Sequence, residues 1–197
     1  MASSPTVLGE GPPAAAIRSD ASAAAAAELE QRKAALIRAH LTPVWGFLRR
    51  LGLSLADAED AGQEVLLTAV RKMDAIVPGQ EKRFVFGIAV RVASRRRRST
   101  KSFTSRAVDV DLDTCEALAP SSDEILERRE ALALLDRALA TLNEEMRTAF
   151  ILYELEEMSM PEIAEVLDVP VGTVASRLRR AREQFQKATR RLQSREP

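Results

Sequence analysis

Polar and cationic side chains near the end of the chain recur at a spacing that would let a helix read DNA. Ser176 and Arg180 lie four residues apart, so on a helix they share one face. Short hydroxyl side chains can approach base edges, and arginine can reach phosphates or the acceptor pair of guanine. The same exposed face carries Thr173, Arg177 and Gln184. This chemistry is DNA recognition, and its geometry suits the major groove.

Two helices joined by a tight turn must position this face. Ser159 and Glu162 form a capping-box pattern, with Pro161 tolerated in the first turn of the helix that follows. Asp168, Val169 and Pro170 then interrupt the helical period. The second helix has an apolar stripe opposite its polar face: Val174, Leu178, Ala181 and Phe185. An isolated arginine-rich helix would be interpreted as a solvated surface helix, but the capped helix and turn before it favour a helix-turn-helix.

A second candidate site is an acidic helix face in the first half of the chain. Ser54 is a predicted N-cap with Asp57 at the capping-box position. Asp57, Asp60 and Glu64 then share one face. Acids in the first turns of a helix also simply complement its dipole, and that alternative explains the pattern equally well when it is taken alone.

A third candidate site is an arginine stripe. Arg91, Arg95 and Arg98 recur by four and three, and Arg96 and Arg97 widen the stripe. The other side of this predicted helix is broadly apolar, with Phe84, Val85, Ile88, Ala89 and Val92. The alternative is a nonspecific basic patch, because attraction to phosphate carries no sequence information.

The formal net charge of zero conceals strong separation of charge along the 197 residues. Residues 71–106 carry +9 and residues 169–197 carry +6, whereas residues 107–130 carry −6 and residues 131–168 carry −7. Two cationic surfaces are therefore divided by acidic sequence, which is consistent with two separate contacts to DNA.

Other classes of function find little support in the sequence. The single Cys115 and the single His40 exclude a disulfide within the chain and a cysteine or histidine cluster for metal, and no HExxH, Walker or nucleophile-elbow motif occurs. We therefore predict no catalytic residues, no metal, no cofactor and no small-molecule substrate. The first residues lack the pattern of a signal peptide, and no apolar run is long enough to span a membrane. These features predict a cytoplasmic protein without membrane insertion.

The periodicity predicts an all-α protein with two small helical domains. We expect a tail over residues 1–27, rich in Ala, Pro and Ser, that is disordered or forms a frayed alanine helix. The first domain covers 28–102, with breaks near Pro43, at 52–54 and at 78–79. An extended acidic linker covers 103–124, where Val108, Val110 and Leu112 alternate with aspartates. The second domain covers 125–192, with Asn143 as a predicted cap, and a short tail covers 193–197.

These motifs together resemble the bacterial RNA polymerase sigma factors of the extracytoplasmic-function (ECF) type, in the sigma-seventy family. DAEDAGQEVLLTAV and RFVFGIAVRVASRRRR are similar to region 2, and PEIAEVLDVPVGTVASRLRRAR is similar to region 4. The resemblance covers most of residues 36–192. Two specific motifs in family order, separated by a short linker, are far more diagnostic than either motif alone.

The resemblance implies a role for each candidate surface. The acidic helix, with Asp57, Asp60, Gln63 and Glu64, would bind core polymerase. The loop at 74–82 and the helix bearing Phe84, Arg91, Arg95 and Arg98 would bind the minus-ten promoter element and capture an unpaired base. Ser176, Arg179 and Arg180 would read the minus-thirty-five element, with Thr173 and Arg177 near the DNA backbone. Residues 131–168 resemble the part that contacts the polymerase flap, and the acidic linker resembles segments that lie in the RNA path.

The chain departs from many members of that family at several positions. Phe84, Arg91 and Arg95 stand where Trp, Asn and Asp are frequent, so positive charge replaces polar base contacts. At the turn, Asp168 replaces the frequent Gly, and Asp enters the left-handed region more readily than most residues.

The resulting hypothesis is a sigma factor that binds core RNA polymerase, bridges two promoter elements and aids DNA melting. The resemblance also implies double-stranded and melted promoter DNA as partners and makes an anti-sigma factor a candidate partner. Two alternatives stay open on sequence alone. One is an autonomous helix-turn-helix regulator whose first domain dimerises or binds an effector. The other is an interaction protein that binds charged partners without sequence preference.

Overall fold

The computed structural model describes residues 14–100 and 122–194. Within them the chain forms α1 (Ala14–Arg50), α2 (Leu55–Arg71), a 3₁₀ turn (Met73–Ala75), α3 (Glu81–Thr100), α4 (Ser122–Ala140), α5 (Glu144–Phe150) continued by a π-helical turn (Ile151–Leu155), α6 (Met160–Leu167) and α7 (Val171–Gln193). The described residues contain helices and no strand, which confirms the all-α prediction. The alternating segment at 108–112 lies outside them.

The first module consists of α1, α2 and α3, which pack against one another around fully buried apolar side chains. Phe47 of α1 meets Phe86 of α3 edge-to-face, with ring centroids 5.2 Å apart. The predicted break near Pro43 is wrong, because α1 continues through that residue. Proline removes one helical hydrogen bond, but the full burial of neighbouring Val44 and Leu48 holds the helix against the core.

The second module consists of α4 to α7, and α7 contacts each of the other three helices. Phe150 of α5 stacks on Phe185 of α7 at 4.8 Å between ring centroids. Asn143 caps α5 as predicted, because its side chain accepts a hydrogen bond from the amide of Met146 at 2.8 Å. This packing fixes the orientation of α7.

The two modules lie against each other. Helix α6 of the second module packs on α3 of the first, and the buried apolar residues of both modules form one contiguous cluster. Charged pairs surround this contact, including Arg97 with Glu144 at 3.1 Å. The sequence had left the arrangement of the two modules undetermined.

Candidate nucleic-acid and polymerase interfaces

The helix-turn-helix has the local geometry that the sequence predicted. The Ser159 hydroxyl accepts a hydrogen bond from the Glu162 amide, and the Glu162 carboxylate accepts one from the Ser159 amide, so the capping box is complete. The hydrogen bonds from the Ser159 side chain and amide lower the pKa of Glu162. Asp168 ends α6 in the left-handed region, at φ 52° and ψ 53°. This turn redirects the chain into α7.

Helix α7 buries one side and exposes the predicted recognition face. Val174, Leu178 and Ala181 are buried against the other helices of the module. Arg179 and Arg180 are exposed on the outer side. The arrangement therefore presents guanidinium groups on a helix whose orientation is fixed by its packing, as direct readout in the major groove requires.

The five predicted minus-thirty-five residues differ in how far they are engaged within the chain. Arg177 pairs with Glu145 of α5 at 2.8 Å, and Arg179 pairs with Glu183 one turn away at 2.7 Å. The half-buried Ser176 donates its hydroxyl to the carbonyl of Thr173 at 2.9 Å. Within the described residues, Arg180 has no ion pair, so its guanidinium is not engaged by a carboxylate there.

The acidic face of α2 lies directly against the arginine stripe of α3. The guanidinium of Arg96 is 3.7 Å from Asp57, 3.9 Å from Asp60 and 3.7 Å from Glu64. Arg95 donates a hydrogen bond to Glu64. The sequence predicted the two surfaces separately, and the structure brings them together because α2 and α3 are packed neighbours.

Two of the four predicted core-binding residues remain largely accessible. The side chain of Asp60 is 71% exposed to solvent, although it lies near Arg96. Gln63 is also exposed. The serine cap that begins this helix is as predicted, with the Ser54 hydroxyl accepting from the Asp57 amide at 3.1 Å. A partner can therefore reach the outer edge of the acidic face.

The predicted minus-ten residues Phe84 and Arg91 line a concave pocket of about 280 Å³. The loop at 75–77 forms part of its wall, and Glu165 and Val166 of α6 form another part. The second module therefore covers one side of the predicted minus-ten surface. Arg98 is exposed farther along α3, away from this pocket.

Sequence reasoning missed the residues that hold α6 over this pocket. Arg83 donates a hydrogen bond to the Glu165 carboxylate, and Lys82 donates one to the carbonyl of Glu156. These partners are more than 70 residues apart in the chain. A local sequence pattern cannot predict a contact between residues that are so far apart in the chain.

Arg97 also departs from the role that the sequence gave it. It was expected to widen the DNA-binding stripe, but it pairs with Glu144 at the module boundary. Its burial lowers its pKa, an effect that Glu144 partly offsets. The basic stripe on α3 is therefore narrower than its sequence indicates.

Neither a metal site nor a membrane span is found in the part of the chain that the structure describes. Residues 14–100 and 122–194 contain no group of His, Cys, Asp or Glu side chains placed to hold a metal ion. No helix in the same ranges is long and apolar enough to cross a membrane.

Comparison with known proteins identifies two family regions and several relatives. Sigma-70 region 2 matches residues 36–103, and Sigma-70 region 4 matches residues 132–185. The ECF RNA polymerase sigma factor SigE of Mycolicibacterium smegmatis is 31% identical over 150 residues, which cover 76% of this chain and 58% of that protein. The ECF RNA polymerase sigma-E factor of Escherichia coli K12 is 31% identical over 135 residues, which cover 64% of this chain and 71% of that protein.

Solved structures share the fold. The sigma factor RpoE from Bartonella quintana, solved with the anti-sigma factor NepR, aligns with a TM-score of 0.61 at 22% identity, covering 78% of this chain and 94% of that chain. CnrH, solved with the cytosolic domain of CnrY, aligns at 0.58 with 21% identity, covering 80% of this chain and 87% of that chain.

Both sigma regions are matched in family order, and the matched segments coincide with the two modules that carry the acidic face, the arginine stripe and the helix-turn-helix. The chain belongs to the ECF RNA polymerase sigma factors, a family that binds RNA polymerase and directs initiation at specific promoters.

Proposed function

We propose that this chain reads the minus-thirty-five promoter element with α7 while α3 and the loop before it bind the minus-ten element. The observation that carries the proposal is the rigid, exposed recognition face of α7, on which Arg180 is solvent-exposed and unpaired within the described residues. Ser176, Arg179 and Arg180 face the bases, and Thr173 and Arg177 lie near the backbone. Bidentate arginine contacts discriminate between bases, and phosphate contacts fix the position of the protein on the duplex.

Core polymerase binds the acidic face of α2 through Asp57, Asp60, Gln63 and Glu64. The accessible Asp60 and Gln63 make the first contacts, because Arg95 and Arg96 already neutralise part of Glu64 and Asp57. A basic partner surface then competes with these arginines for the carboxylates. Such an exchange also releases Arg95 toward DNA.

Minus-ten binding requires the two modules to separate. Phe84, Arg91, Arg95 and Arg98 constitute the minus-ten surface, and α6 covers the pocket that Phe84 and Arg91 line. The contacts that hold α6 there combine buried apolar residues with polar pairs, which include the exposed pair of Arg83 with Glu165. Exposed pairs contribute little stability, so polymerase binding can replace them. Phe84 then stacks on an unpaired base, which offsets part of the cost of melting.

Sigma factors are non-catalytic initiation factors, and the protein itself catalyses no reaction in this proposal. It acts in the cytoplasm, where core polymerase and promoter DNA are present. The two solved neighbours were each determined with a partner, and one of these partners is named as an anti-sigma factor. By analogy, an anti-sigma factor inhibits this chain by occupying its polymerase-binding or DNA-binding surfaces.

The test is reconstitution with purified bacterial core polymerase. We expect co-elution with core enzyme and run-off transcripts that begin downstream of paired minus-thirty-five and minus-ten sequences in a genomic library. Removal of either module should abolish the transcripts. Tight binding to an operator without core enzyme, combined with no run-off product, would instead support the autonomous regulator.

A further inference from the structure

A buried carboxylate lies at the boundary between the two modules. Glu156 follows the π-helical turn, in the connector of residues 156–158 that leads to α6, and only 8% of the residue is exposed. It is the only buried acidic residue in the part of the chain that the structure describes. A carboxylate that loses its water is costly to keep ionised unless hydrogen bonds or a close cation replace that water. The groups around Glu156 therefore decide its charge.

These groups compensate an ionised Glu156 only in part. Lys82 of α3 donates its hydrogen bond to the backbone carbonyl of Glu156 and not to the carboxylate, which accepts no hydrogen bond within the described residues. Arg50 of α1 acts on the carboxylate through space and also lies 4.0 Å from Asp136, whereas Glu157 repels it. Burial therefore raises the pKa of Glu156, and Lys82 and Arg50 offset part of that rise.

The backbone of the connector fixes the position of this side chain. The Glu156 amide donates to the carbonyl of Ile151 at 3.0 Å, and the Met158 amide donates to the carbonyl of Leu152 at 2.9 Å. Glu157, between them, lies in the left-handed region at φ 52°. Residues other than glycine are disfavoured in that region, so the surrounding contacts must maintain the conformation. Glu156 therefore regains water most simply when the first module moves away from the connector.

We propose that Glu156 is a proton-sensitive switch of module packing, which favours the packed arrangement when its carboxylate is protonated and the separated arrangement when it is ionised. Lys82 and Arg50 belong to the first module, so separation withdraws both cations and returns the carboxylate to water. The packed form therefore binds the proton more readily than the separated form. By linkage, acidification favours packing, and packing weakens as pH rises through the pKa of the packed form. The consequence for promoter binding rests on the proposed function, since packing covers the minus-ten pocket.

Hydrogen exchange of the full chain from about pH 7.5 to about pH 5, a range above the ordinary pKa of glutamate, tests the switch. At each pH, the protection of α6 and of the first turns of α3 in Glu156→Gln is divided by that in wild type, so the pH dependence of the exchange chemistry cancels. We expect this ratio to exceed one at the upper end. It should fall on acidification by at most about tenfold per pH unit, because one proton is linked. A constant ratio, or a ratio below one at the upper end, overturns the switch.

Glu157→Gln is the matched control, because it removes the charge of the adjacent, exposed acid in the same connector. Its protection relative to wild type should stay nearly constant over the same pH range. An equal fall for Glu157→Gln would assign the effect to the net charge of the connector and would contradict the role of Glu156.

Lys82→Met tests the arrangement of charges around the carboxylate. Lys82 favours the ionised form, so its removal should move the response to higher pH. The ratio is measured again between Lys82→Met and the double variant that also carries Glu156→Gln. Both chains lack the hydrogen bond to the Glu156 carbonyl, so that loss cancels. A response at unchanged pH would contradict the assigned contact.

Circular dichroism checks that Glu156→Gln keeps the helix content of wild type. Loss of helix would mean that the carboxylate is required for folding, which would also overturn the switch. None of these samples contains polymerase or DNA, so failure of the switch is distinguishable from failure of the sigma-factor function.

Discussion

The arginines of α3 and those of α7 follow similar helical spacing, but their surroundings differ. Arg95 and Arg96 of α3 contact carboxylates of α2, and Arg97 contacts Glu144 of α5. In the described part of α7, Arg177 pairs with Glu145 of α5, Arg179 pairs with Glu183 of its own helix, and Arg180 is exposed without an ion pair. Neighbouring acidic helices therefore decide which basic stripe is available. We infer that α7 is ready for DNA, whereas α3 becomes ready when its internal partners are displaced.

The largest effect expected is on the core that supports α3. Phe47→Ala should lower the free energy of unfolding by about 3–5 kcal/mol, because it leaves a cavity beside Phe86. Phe185→Ala, in the aromatic pair that supports α7, is the matched variant and should cost less because Phe185 is only half-buried. Urea denaturation measures both losses. A larger loss for Phe185→Ala would contradict the expected difference between the two modules.

The second prediction concerns promoter binding by Arg180, the exposed arginine of α7. Arg180→Ala should weaken binding of holoenzyme to promoter DNA by about 1–3 kcal/mol if the side chain is bidentate to guanine. Fluorescence anisotropy on promoter and scrambled duplexes measures the loss. Arg190→Ala is the control at an exposed position of the same helix. Equal losses on both duplexes for Arg180→Ala would identify a phosphate contact instead.

A charge reversal on the acidic face of α2 tests polymerase docking. Asp60→Arg should weaken core assembly by about tenfold, because it inverts charge at the most accessible carboxylate of the site. Glu59→Arg makes the same change at an adjacent exposed position outside the proposed face. Affinity for core enzyme is measured by anisotropy with labelled chain, and circular dichroism checks folding. Unchanged assembly of Asp60→Arg would refute the docking role.

A smaller effect is expected at the capping box of the helix-turn-helix. Ser159→Ala should lower the free energy of unfolding by about 1 kcal/mol at neutral pH, because the first turn of α6 loses its cap. Thermal or urea unfolding of the full chain measures the difference. An unchanged stability would mean that water replaces the serine hydroxyl without cost.

The capping box of Ser159 and Glu162 should also make the free energy of unfolding depend on pH. The pKa of Glu162 is lowered in the folded chain, chiefly by its hydrogen bonds with Ser159. The ionised Glu162 carboxylate therefore contributes to the free energy of unfolding above the unfolded pKa of about 4.3. This contribution is lost as pH falls through the lower pKa of the folded chain. The stability difference between wild type and Glu162→Gln should shrink below about pH 4. A constant difference down to pH 3 would contradict this linkage.

The smallest effect is expected at the contact that joins the two modules. A double-mutant cycle on Arg83→Ala and Glu165→Ala should give a coupling energy of about 0.2–1 kcal/mol, as is usual for exposed pairs. Despite this small value, either variant should increase accessibility of the minus-ten pocket. Hydrogen exchange in α6 measures that opening. Unchanged exchange would mean that the buried apolar contacts alone hold the modules together.

Residue type and spacing were enough to predict the local elements of this protein. The capping box at Ser159 and the caps at Ser54 and Asn143 were predicted from residue type and spacing, and the structure contains each of them. The left-handed turn at Asp168, which the structure also contains, was expected from the family resemblance. Local patterns sufficed because each feature depends on hydrogen bonds or backbone angles within a few residues. The family could be identified for the same reason, since its motifs are helical segments that keep their spacing.

Packing between helices that are distant in the chain sets which charged surfaces remain accessible and how the two modules meet. Helix α1 continues through Pro43 because burial outweighs the lost hydrogen bond. Arg96 faces three acids of α2, Arg83 meets Glu165, and Glu156 is buried at the module boundary. These contacts join side chains that are distant in the sequence, and helical periodicity assigns a side chain to a face without identifying what packs there.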